Sequence, residues 1–347
     1  MIALLLVLAM VLALTACSTP AGETSASASE SSESASESVS ESVSESASES
    51  SESTDTREWW QMVDVDWTEN SVALDTGINM TYMTIGPEDG DIIVLIHGAT
   101  DSRLSWAQVA PQLADAGYRV YVPELRGHGK TDKPAGVNGI YTVEEHAADI
   151  ISFMDKVGIK SADVVGHSLG SLIAQELAAD IPDKVKSITL IASGAKSCDN
   201  ESLTWVYEGD GTDYLGVHGY DDTKTFPPEF LADWAGCTNE DADFCKGIYM
   251  HAAQLPYEVW GYIFGGLQVY DNTDGLADIT CPVQIIWGTK DSIFLESDQK
   301  ALQDGLVNAA SVDFVPIEGA SHNTHWDSKA NATKVSGLIA DFAASHK

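Results

Sequence analysis

Basic residues are scarce in this chain. Of its 347 residues 18 are Lys or Arg and 53 are Asp or Glu, which gives a formal net charge of -35. Residues 1–56 hold nine acidic residues and no basic one, so the remainder carries 44 acidic against 18 basic residues. A surface this acidic repels nucleic acid and anionic lipid headgroups, and we expect neither as a partner. The simplest interpretation of the acidity is solubility.

The chain also lacks a long apolar run, a metal-ligand pattern and a dinucleotide loop. Its apolar run at residues 2–14 is 13 residues long, too short to span a bilayer comfortably. No His, Cys and Asp cluster has metal-ligand spacing, and no helix follows Gly127-His-Gly129 as a dinucleotide loop would require. We therefore expect neither a metal nor another cofactor.

The N-terminal 56 residues have the features of an exported protein. The run at 2–14 suits the core of a signal peptide, and the Leu14-Thr15-Ala16-Cys17 that follows resembles the bacterial lipoprotein box. That resemblance implies a signal peptide at 1–16, a lipid on Cys17 and anchoring to the outer face of the cell membrane. The alternative is an ordinary signal peptide with a chance cysteine. Residues 17–56, dominated by Ser and Glu, are predicted to form a disordered tether.

From residue 57 onward apolar strand-like runs alternate with helical patterns, which predicts a parallel sheet with helices on both faces. The runs are predicted at 61–67, 78–85, 92–96, 120–123, 163–166, 188–191, 282–287 and 311–317, with helices at 105–116, 143–157 and 327–344. Between about 195 and 276 the alternation stops and aromatic residues accumulate. We interpret this region as a mainly helical cap inserted over the sheet.

The pattern around Ser168 predicts a nucleophile. Gly166-His167-Ser168-Leu169-Gly170 lies between an apolar strand and a helical pattern, the context in which Gly-x-Ser-x-Gly lifts a serine above the edge of a sheet. A serine there needs a base and a carboxylate. His322 and Asp291 follow the last two predicted strands, with His325 as the second choice for the base. The backbone N–H groups of Ala99 and Leu169 are the predicted oxyanion donors.

These segments together resemble the α/β-hydrolase superfamily, in particular its cap-bearing esterase, C–C hydrolase and haloperoxidase-like branch. The resemblance covers roughly residues 62–345 and depends on His97-Gly98, Glu124-Leu-Arg-Gly-His-Gly129, the Ser168 segment, Gly288-Thr-Lys-Asp291 and Gly319-Ala-Ser-His322. It implies a doubly wound, mostly parallel eight-stranded sheet and a serine hydrolase without cofactor. A serine nucleophile argues against the dehalogenase and epoxide hydrolase relatives, which need a carboxylate.

The sequence leaves the substrate open. We expect a small or medium apolar ester; C–C bond, lactone, amide and perhydrolysis reactions would use the same triad, and a non-catalytic ligand-binding protein is the alternative of another class. Cap aromatics either form a small core of their own or line an apolar pocket. The predicted substrate contacts are Trp205, Tyr207, Trp260, Tyr262 and Phe264.

The remaining histidines and cysteines receive simpler interpretations. His97, His128, His167 and Arg126 are predicted to orient loops. His218 and His251 are predicted to be solvated cap residues, with contact to substrate as the alternative. Export would permit disulfides, and Cys237 with Cys245 is the preferred pair because the two are close in the sequence. The alternative is that Cys198, Cys237, Cys245 and Cys281 are all reduced, and Cys281 is expected to be a buried thiol.

Overall fold

The computed structural model describes residues 55–135, 141–209, 216–217, 226 and 228–346. Residues from Arg57 onward form one compact unit. The predicted signal peptide, Cys17, most of the tether and His218 lie outside the described residues. Among the described helices, none combines the length and apolar character needed to cross a membrane.

The centre of the fold is a mixed sheet of eight strands. They are β1 (Thr68–Ala73), β2 (Asn79–Ile85), β3 (Ile92–Ile96), β4 (Arg119–Pro123), β5 (Ala162–His167), β6 (Val185–Ile191), β7 (Val283–Gly288) and β8 (Val312–Ile317). Their order across the sheet is β1-β2-β4-β3-β5-β6-β7-β8. β2 pairs antiparallel with β1 and β4, and the other neighbours are parallel.

Helices cover both faces of this sheet. They are α1 (Ala110–Asp115), α2 (Val143–Val157), α3 (Leu169–Asp180), α4 (Glu201–Glu208), α5 (Pro228–Ala235), α6 (Ala242–Gln254), α7 (Tyr257–Leu267), α8 (Glu296–Gly305) and α9 (Lys329–Ser345). Short 3-10 helices occupy Trp59–Gln61, Arg103–Trp106 and Gly275–Asp278. The predicted fold class, a doubly wound and mostly parallel eight-stranded sheet with a helical insertion, is confirmed.

Strand alternation divides the core between the two faces. In β3, Val94 and Ile96 pack with the cluster that includes α2 and α3, whereas Ile93 and Leu95 pack with α1 and α9 on the opposite face. Successive strand side chains point to opposite faces, so a fully apolar strand such as β3 requires cover on both. Its continuous apolar run follows from that requirement.

The insertion lies between β6 and β7. It contains α4 to α7, from Glu201 to Leu267, within the predicted range of about 195–276. The 3-10 helix at Trp59–Gln61 packs against α6, and Arg57 forms an ion pair with Asp243 on that helix. The start of the compact unit therefore contacts the cap as well as the sheet domain.

Two predicted elements are wrong in detail. Residues 61–67 do not form a strand. Met62 is buried, Val63 and Val65 pack against the apolar cluster that contains Phe244, and the first strand is β1, at the exposed edge of the sheet. The helix predicted at 105–116 is interrupted, with a 3-10 turn at Arg103–Trp106 before α1. In both places the apolar residues are spaced as in a regular element, but the spacing arises from burial against other parts of the chain and not from a single strand or helix.

Candidate active site

The turn around Ser168 is held in a strained conformation by the close approach of α3 to the sheet. Ser168 has φ of 51° and ψ of -119°, directly between β5 and α3. A Cβ on Gly166 would lie 2.1 Å from the carbonyl oxygen of Gly170, and one on Gly170 would lie 2.3 Å from that of Ile96. Side chains at either glycine would push the helix away. The turn leaves Ser168 half-buried at the helix N-terminus.

Asp291 and His322 are brought together by the loops that follow β7 and β8. Nδ1 of His322 lies 3.0 Å from each carboxylate oxygen of Asp291. The Asp291 side chain is buried, and its Oδ1 also accepts the backbone N–H groups of Ile293 at 2.8 Å and Phe294 at 3.1 Å. These bonds fix the carboxylate. With Nδ1 as the donor, Nε2 of His322 is the nitrogen available to act as a base.

The turn that carries His322 is connected to the residue before the predicted nucleophile. Nε2 of His167 lies 3.1 Å from the carbonyl oxygen of His322, and the two imidazole rings are 5.1 Å apart. His167 is buried at the end of β5, where it was predicted to orient loops. The structure therefore places Ser168, Asp291 and His322 at the same rim of the sheet, at the carboxyl ends of β5, β7 and β8.

The alternative base, His325, occupies a different environment. Its ring is fully buried and lies 4.3 Å from the ring of Trp106 and 4.4 Å from that of His167. Burial holds the pKa of His325 well below its ordinary value. Asp291 makes its imidazole contact with His322, so this geometry favours His322 as the base.

The two predicted oxyanion donors are the residue after Ser168 and a residue of the loop that follows β3. Leu169 is the first residue of α3, so its N–H has no carbonyl one turn earlier within the helix. The Ala99 N–H donates to no acceptor among the described residues. Its loop lies close to the nucleophile turn, because a Cβ on Gly98 would approach Nδ1 of His167 to 2.8 Å. Ala99 and Leu169 therefore belong to two neighbouring segments, and their N–H groups stay the predicted oxyanion donors.

Three buried imidazoles fix the loop that carries Ala99. Nδ1 of His97 lies 2.8 Å from the Gly98 carbonyl oxygen. The Thr100 N–H donates to Nε2 of His128 at 3.0 Å, and the Thr100 carbonyl accepts from Nδ1 of His251 at 2.9 Å. The backbone polar groups on both sides of Ala99 are therefore committed. His97 and His128 orient loops as predicted, but His251 is buried rather than solvated, because α6 packs it against this loop.

Burial keeps these imidazoles neutral. It lowers the pKa of His97 to about 4 and that of His251 to about 3, and it holds the pKa of His128 well below its ordinary value. The hydrogen bonds require the same state. His251 also accepts the Gly129 N–H at Nε2, so one ring nitrogen donates and the other accepts, which only the neutral tautomers allow.

A tryptophan of the cap reaches the same loop, and the sequence reasoning did not select it. Nε1 of Trp234, on α5, donates to Oγ1 of Thr100 at 2.8 Å. Trp234 packs against two predicted contact residues, Trp260 at 5.7 Å and Phe264 at 5.3 Å between ring centroids. These two are fully buried. In the sequence Trp234 is one of many aromatic residues of the cap. Its N–H group shows that it can donate a hydrogen bond, but nothing in the sequence identifies Thr100 as the acceptor.

The other predicted contact residues are dispersed. Tyr262 stacks on Tyr141 at 5.4 Å, on a different side of α7 from Trp260 and Phe264. Trp205 is 36% exposed and lies 5.8 Å from Phe230, and Tyr207 is half-buried at the margin of the main core. The cap aromatics therefore serve partly as its own core. Trp234, Trp260 and Phe264 form the part that reaches the loop of Ala99.

The structure pairs Cys237 with Cys245 in a disulfide within the cap. Cys281 is half-buried, and its burial raises the pKa of the thiol to about 11, so it is a poor nucleophile at neutral pH. Among the described residues, no group of three or more His, Cys, Asp or Glu side chains is placed to hold a metal ion.

A strained serine turn and a histidine that contacts a buried carboxylate, both at one rim of a mostly parallel sheet, are the arrangement expected of the α/β-hydrolases. Residues 91–329 match the family described as alpha/beta hydrolase fold. The chain belongs to this family.

Similarity to individual proteins is more distant. The chain is 25% identical over 245 residues to a putative carbamate hydrolase RutD from Variovorax paradoxus, over 70% of this chain and 89% of that protein. It is 32% identical over 124 residues to an epoxide hydrolase 3 from Siraitia grosvenorii, which is 36% of this chain and only 38% of that protein. An enol-lactonase structure from Burkholderia xenovorans superposes with a TM-score of 0.64 at 22% identity, over 79% of this chain and all of that one, and shows the shared fold.

The low pKa of His251 predicts a pH dependence of stability. Because its pKa is about 3 when folded and near 6.5 in an unfolded chain, the unfolded state binds the extra proton between these values, and stability falls as pH is lowered through that window. His251→Gln keeps a donor and an acceptor but cannot titrate. We expect the fall in unfolding free energy from pH 7 to pH 4 to be shallower in His251→Gln, by up to ~1.4 kcal/mol per pH unit, in urea denaturation. Equal slopes would contradict this.

Proposed function

We propose that this protein is a serine hydrolase that cleaves a small or medium apolar ester through an acyl-enzyme. Ser168 would be the nucleophile, His322 the general base and Asp291 the carboxylate that orients it. The observation that carries the proposal is the pair of 3.0 Å contacts from His322 Nδ1 to Asp291, on a turn hydrogen-bonded to the residue before the strained Ser168.

The chemistry follows from these groups. Ser168 Oγ attacks the acyl carbon while Nε2 of His322 takes its proton, and the N–H groups of Ala99 and Leu169 receive the oxyanion. Collapse expels the alcohol, which takes the proton from His322. Water then enters, loses a proton to His322 and releases the acid, which restores Ser168. Each main-chain donor supplies ~3 kcal/mol of transition-state stabilisation.

The cap supports an apolar substrate. Trp234 packs on Trp260 and Phe264 and donates a hydrogen bond to Thr100, the residue after Ala99. An apolar substituent of a bound ester would therefore meet an aromatic ring close to the proposed oxyanion donors. No cationic group is needed, and apolar burial would supply most of the binding free energy. Trp260 and Phe264, the two predicted contact residues in this group, are fully buried behind Trp234, so they would support the half-buried Trp234 ring, which would make the contact.

Other reactions remain alternatives on the same triad: C–C bond hydrolysis, lactone opening, amide hydrolysis and perhydrolysis. The names of the carbamate hydrolase and enol-lactonase relatives indicate attack on an acyl carbon, which agrees with a serine nucleophile. Epoxide opening by Ser168 would leave an ether, which water cannot release as it releases an ester. The alternative from another class is a ligand-binding protein without turnover.

We also propose that the protein acts outside the cytoplasm, anchored by lipid on Cys17 and held away from the membrane by residues 17–56. The support is the sequence Leu14-Thr15-Ala16-Cys17 behind an apolar core and the charge-repelling Ser and Glu tract. A Cys237–Cys245 disulfide agrees with an oxidising compartment.

A fluorophosphonate probe tests the enzyme proposal directly. We expect the purified protein to be labelled at Ser168, and Ser168→Ala to remain folded but unlabelled, because the probe requires an activated serine hydroxyl. A panel of esters, lactones, amides and diketones, assayed with Ser168→Ala as the control, then identifies the bond that is cleaved. A folded wild-type protein that takes up no label would favour the ligand-binding alternative.

The assignment of the base is tested by His322→Ala against His325→Ala. We expect at least ~100-fold loss of kcat in His322→Ala, since proton transfer from Ser168 is removed. His325→Ala should lower kcat far less, although its buried position predicts a loss of stability, so activity is normalised to the folded fraction measured by circular dichroism. Equal losses per folded molecule would show that the assignment is unsafe.

The anchoring proposal is tested in bacteria fed labelled palmitate. The full chain should incorporate the label and sediment with membranes, and Cys17→Ser should do neither, because the thiol carries the lipid.

Deleting residues 21–56 should keep kcat/KM on a soluble ester within about 2-fold, as expected of a tether that contributes no part of the site. Soluble, unlabelled wild-type protein would contradict the anchor, and a larger loss of turnover would contradict the tether.

A further inference from the structure

The segment between α5 and α6, residues 236–241, lies against the turn that follows His322. Oγ1 of Thr238 donates to the Asp327 carbonyl at 2.9 Å, and Nδ2 of Asn239 donates to the Trp326 carbonyl at 2.7 Å. Glu240 accepts the Lys329 N–H at 3.0 Å. Three successive cap residues therefore form hydrogen bonds with the main chain of residues 326–329, which follow His322. We call residues 237–245 the cap loop and residues 321–327 the base turn.

The base turn transmits this contact toward His322. The N–H groups of Trp326 and Asp327 both donate to the Asn323 carbonyl at 2.9 Å. The carboxylate of Asp327 accepts the N–H of Ser321, the residue before His322, at 3.0 Å. Asp327 thus closes the turn on the side of His322 and receives Thr238 on the side of the cap. Displacing the Asp327 backbone would displace the chain on which the imidazole is mounted.

Two features make the cap loop rigid. The Cys237–Cys245 disulfide closes it, with one cysteine adjacent to Thr238 and the other on α6. The amide of Asn239 is fixed by a reciprocal pair of hydrogen bonds with the amide of Gln108, at 3.0 and 3.2 Å, so it connects cap, sheet domain and base turn. Asn239 is 9% exposed, which shields these bonds from water.

We propose that the cap loop is a positioning element for His322, and that reduction of its disulfide by a dithiol lowers turnover by releasing the base turn. Thiol–disulfide exchange would leave Cys237 and Cys245 as two thiols and convert the dithiol into its own disulfide. Thr238 and Asn239 act through the base turn and touch no reacting atom. The inference rests on the serine hydrolase function proposed above. Because a displacement of about 1 Å at a catalytic group can cost up to ~100-fold in rate, partial release of a turn still fixed by Asp327 should cost ~10-fold in kcat, with KM within ~2-fold.

The first experiment compares oxidised and reduced full-length protein with the substrate found in the panel and with the fluorophosphonate probe. We expect a reductant to lower kcat and the probe labelling rate ~10-fold, and reoxidation to restore both. Cys237→Ser/Cys245→Ser should have the low rate and no response to the reductant. Cys198→Ser, which removes a cysteine outside the disulfide, should behave as wild type. Circular dichroism at the assay temperature confirms that each sample is folded.

The second experiment separates positioning from general stability. Thr238 is exposed, so neither Thr238→Val, which lacks the hydroxyl, nor Thr238→Ser, which keeps it, should unfold the protein. We expect Thr238→Val to lower kcat 3- to 10-fold at unchanged KM, because it loses the hydrogen bond to the Asp327 carbonyl, and Thr238→Ser to retain the wild-type value.

The outcomes distinguish the two proposals. Failure of the oxidised wild type to react with the probe would overturn the serine hydrolase function itself. A wild type that reacts, but whose kcat is unchanged by reduction and by Thr238→Val while the protein stays folded, would overturn the positioning role alone. A change confined to KM would also overturn it, since the cap loop would then act on substrate binding.

Discussion

The close contact between α3 and the carboxyl ends of β3 and β5 is the constraint on which the site depends. It is possible only because Gly166 and Gly170 have no side chain, as a Cβ at either would overlap a main-chain oxygen at little more than 2 Å. The contact holds Ser168 at φ of 51°, immediately before the first residue of α3. The strain at one serine is offset by the packing of a whole helix.

Buried neutral imidazoles are the second element of the design. His97, His128 and His251 each use one ring nitrogen for a main-chain group of the loop that carries Ala99 and the other for a main-chain group of residues 125–129. A charged imidazole could not accept these N–H groups and would cost several kcal/mol to bury. These three histidines therefore have a different role from the one proposed for His322, although the residue type is the same.

The sequence could predict the parts of the site that parallel-sheet topology determines. Ser168, Asp291 and His322 each follow a predicted strand, and parallel strands end at one rim, so their proximity could be expected from order alone. The edge strand of the sheet was harder to predict from the sequence, because residues 61–67 alternate like a strand but pack on α6. Trp234 and His251 were not predictable as loop contacts, because a helical cap docks through long-range packing that no local periodicity records.

That docking shows how the cap differs from a passive cover. It holds the loop of Ala99 through Trp234 and His251, and it holds the turn of His322 through Thr238 and Asn239. The loop of Ala99, a proposed oxyanion donor, and the turn of His322, the proposed base, are therefore both fixed from the sheet domain and from the insertion. Since the same insertion supplies the aromatic groups that would contact substrate, changes in substrate preference cannot be independent of the catalytic geometry. Sequence changes in α5 or α6 that fit a new substrate must also preserve these four hydrogen bonds, which limits how freely such a cap can diverge.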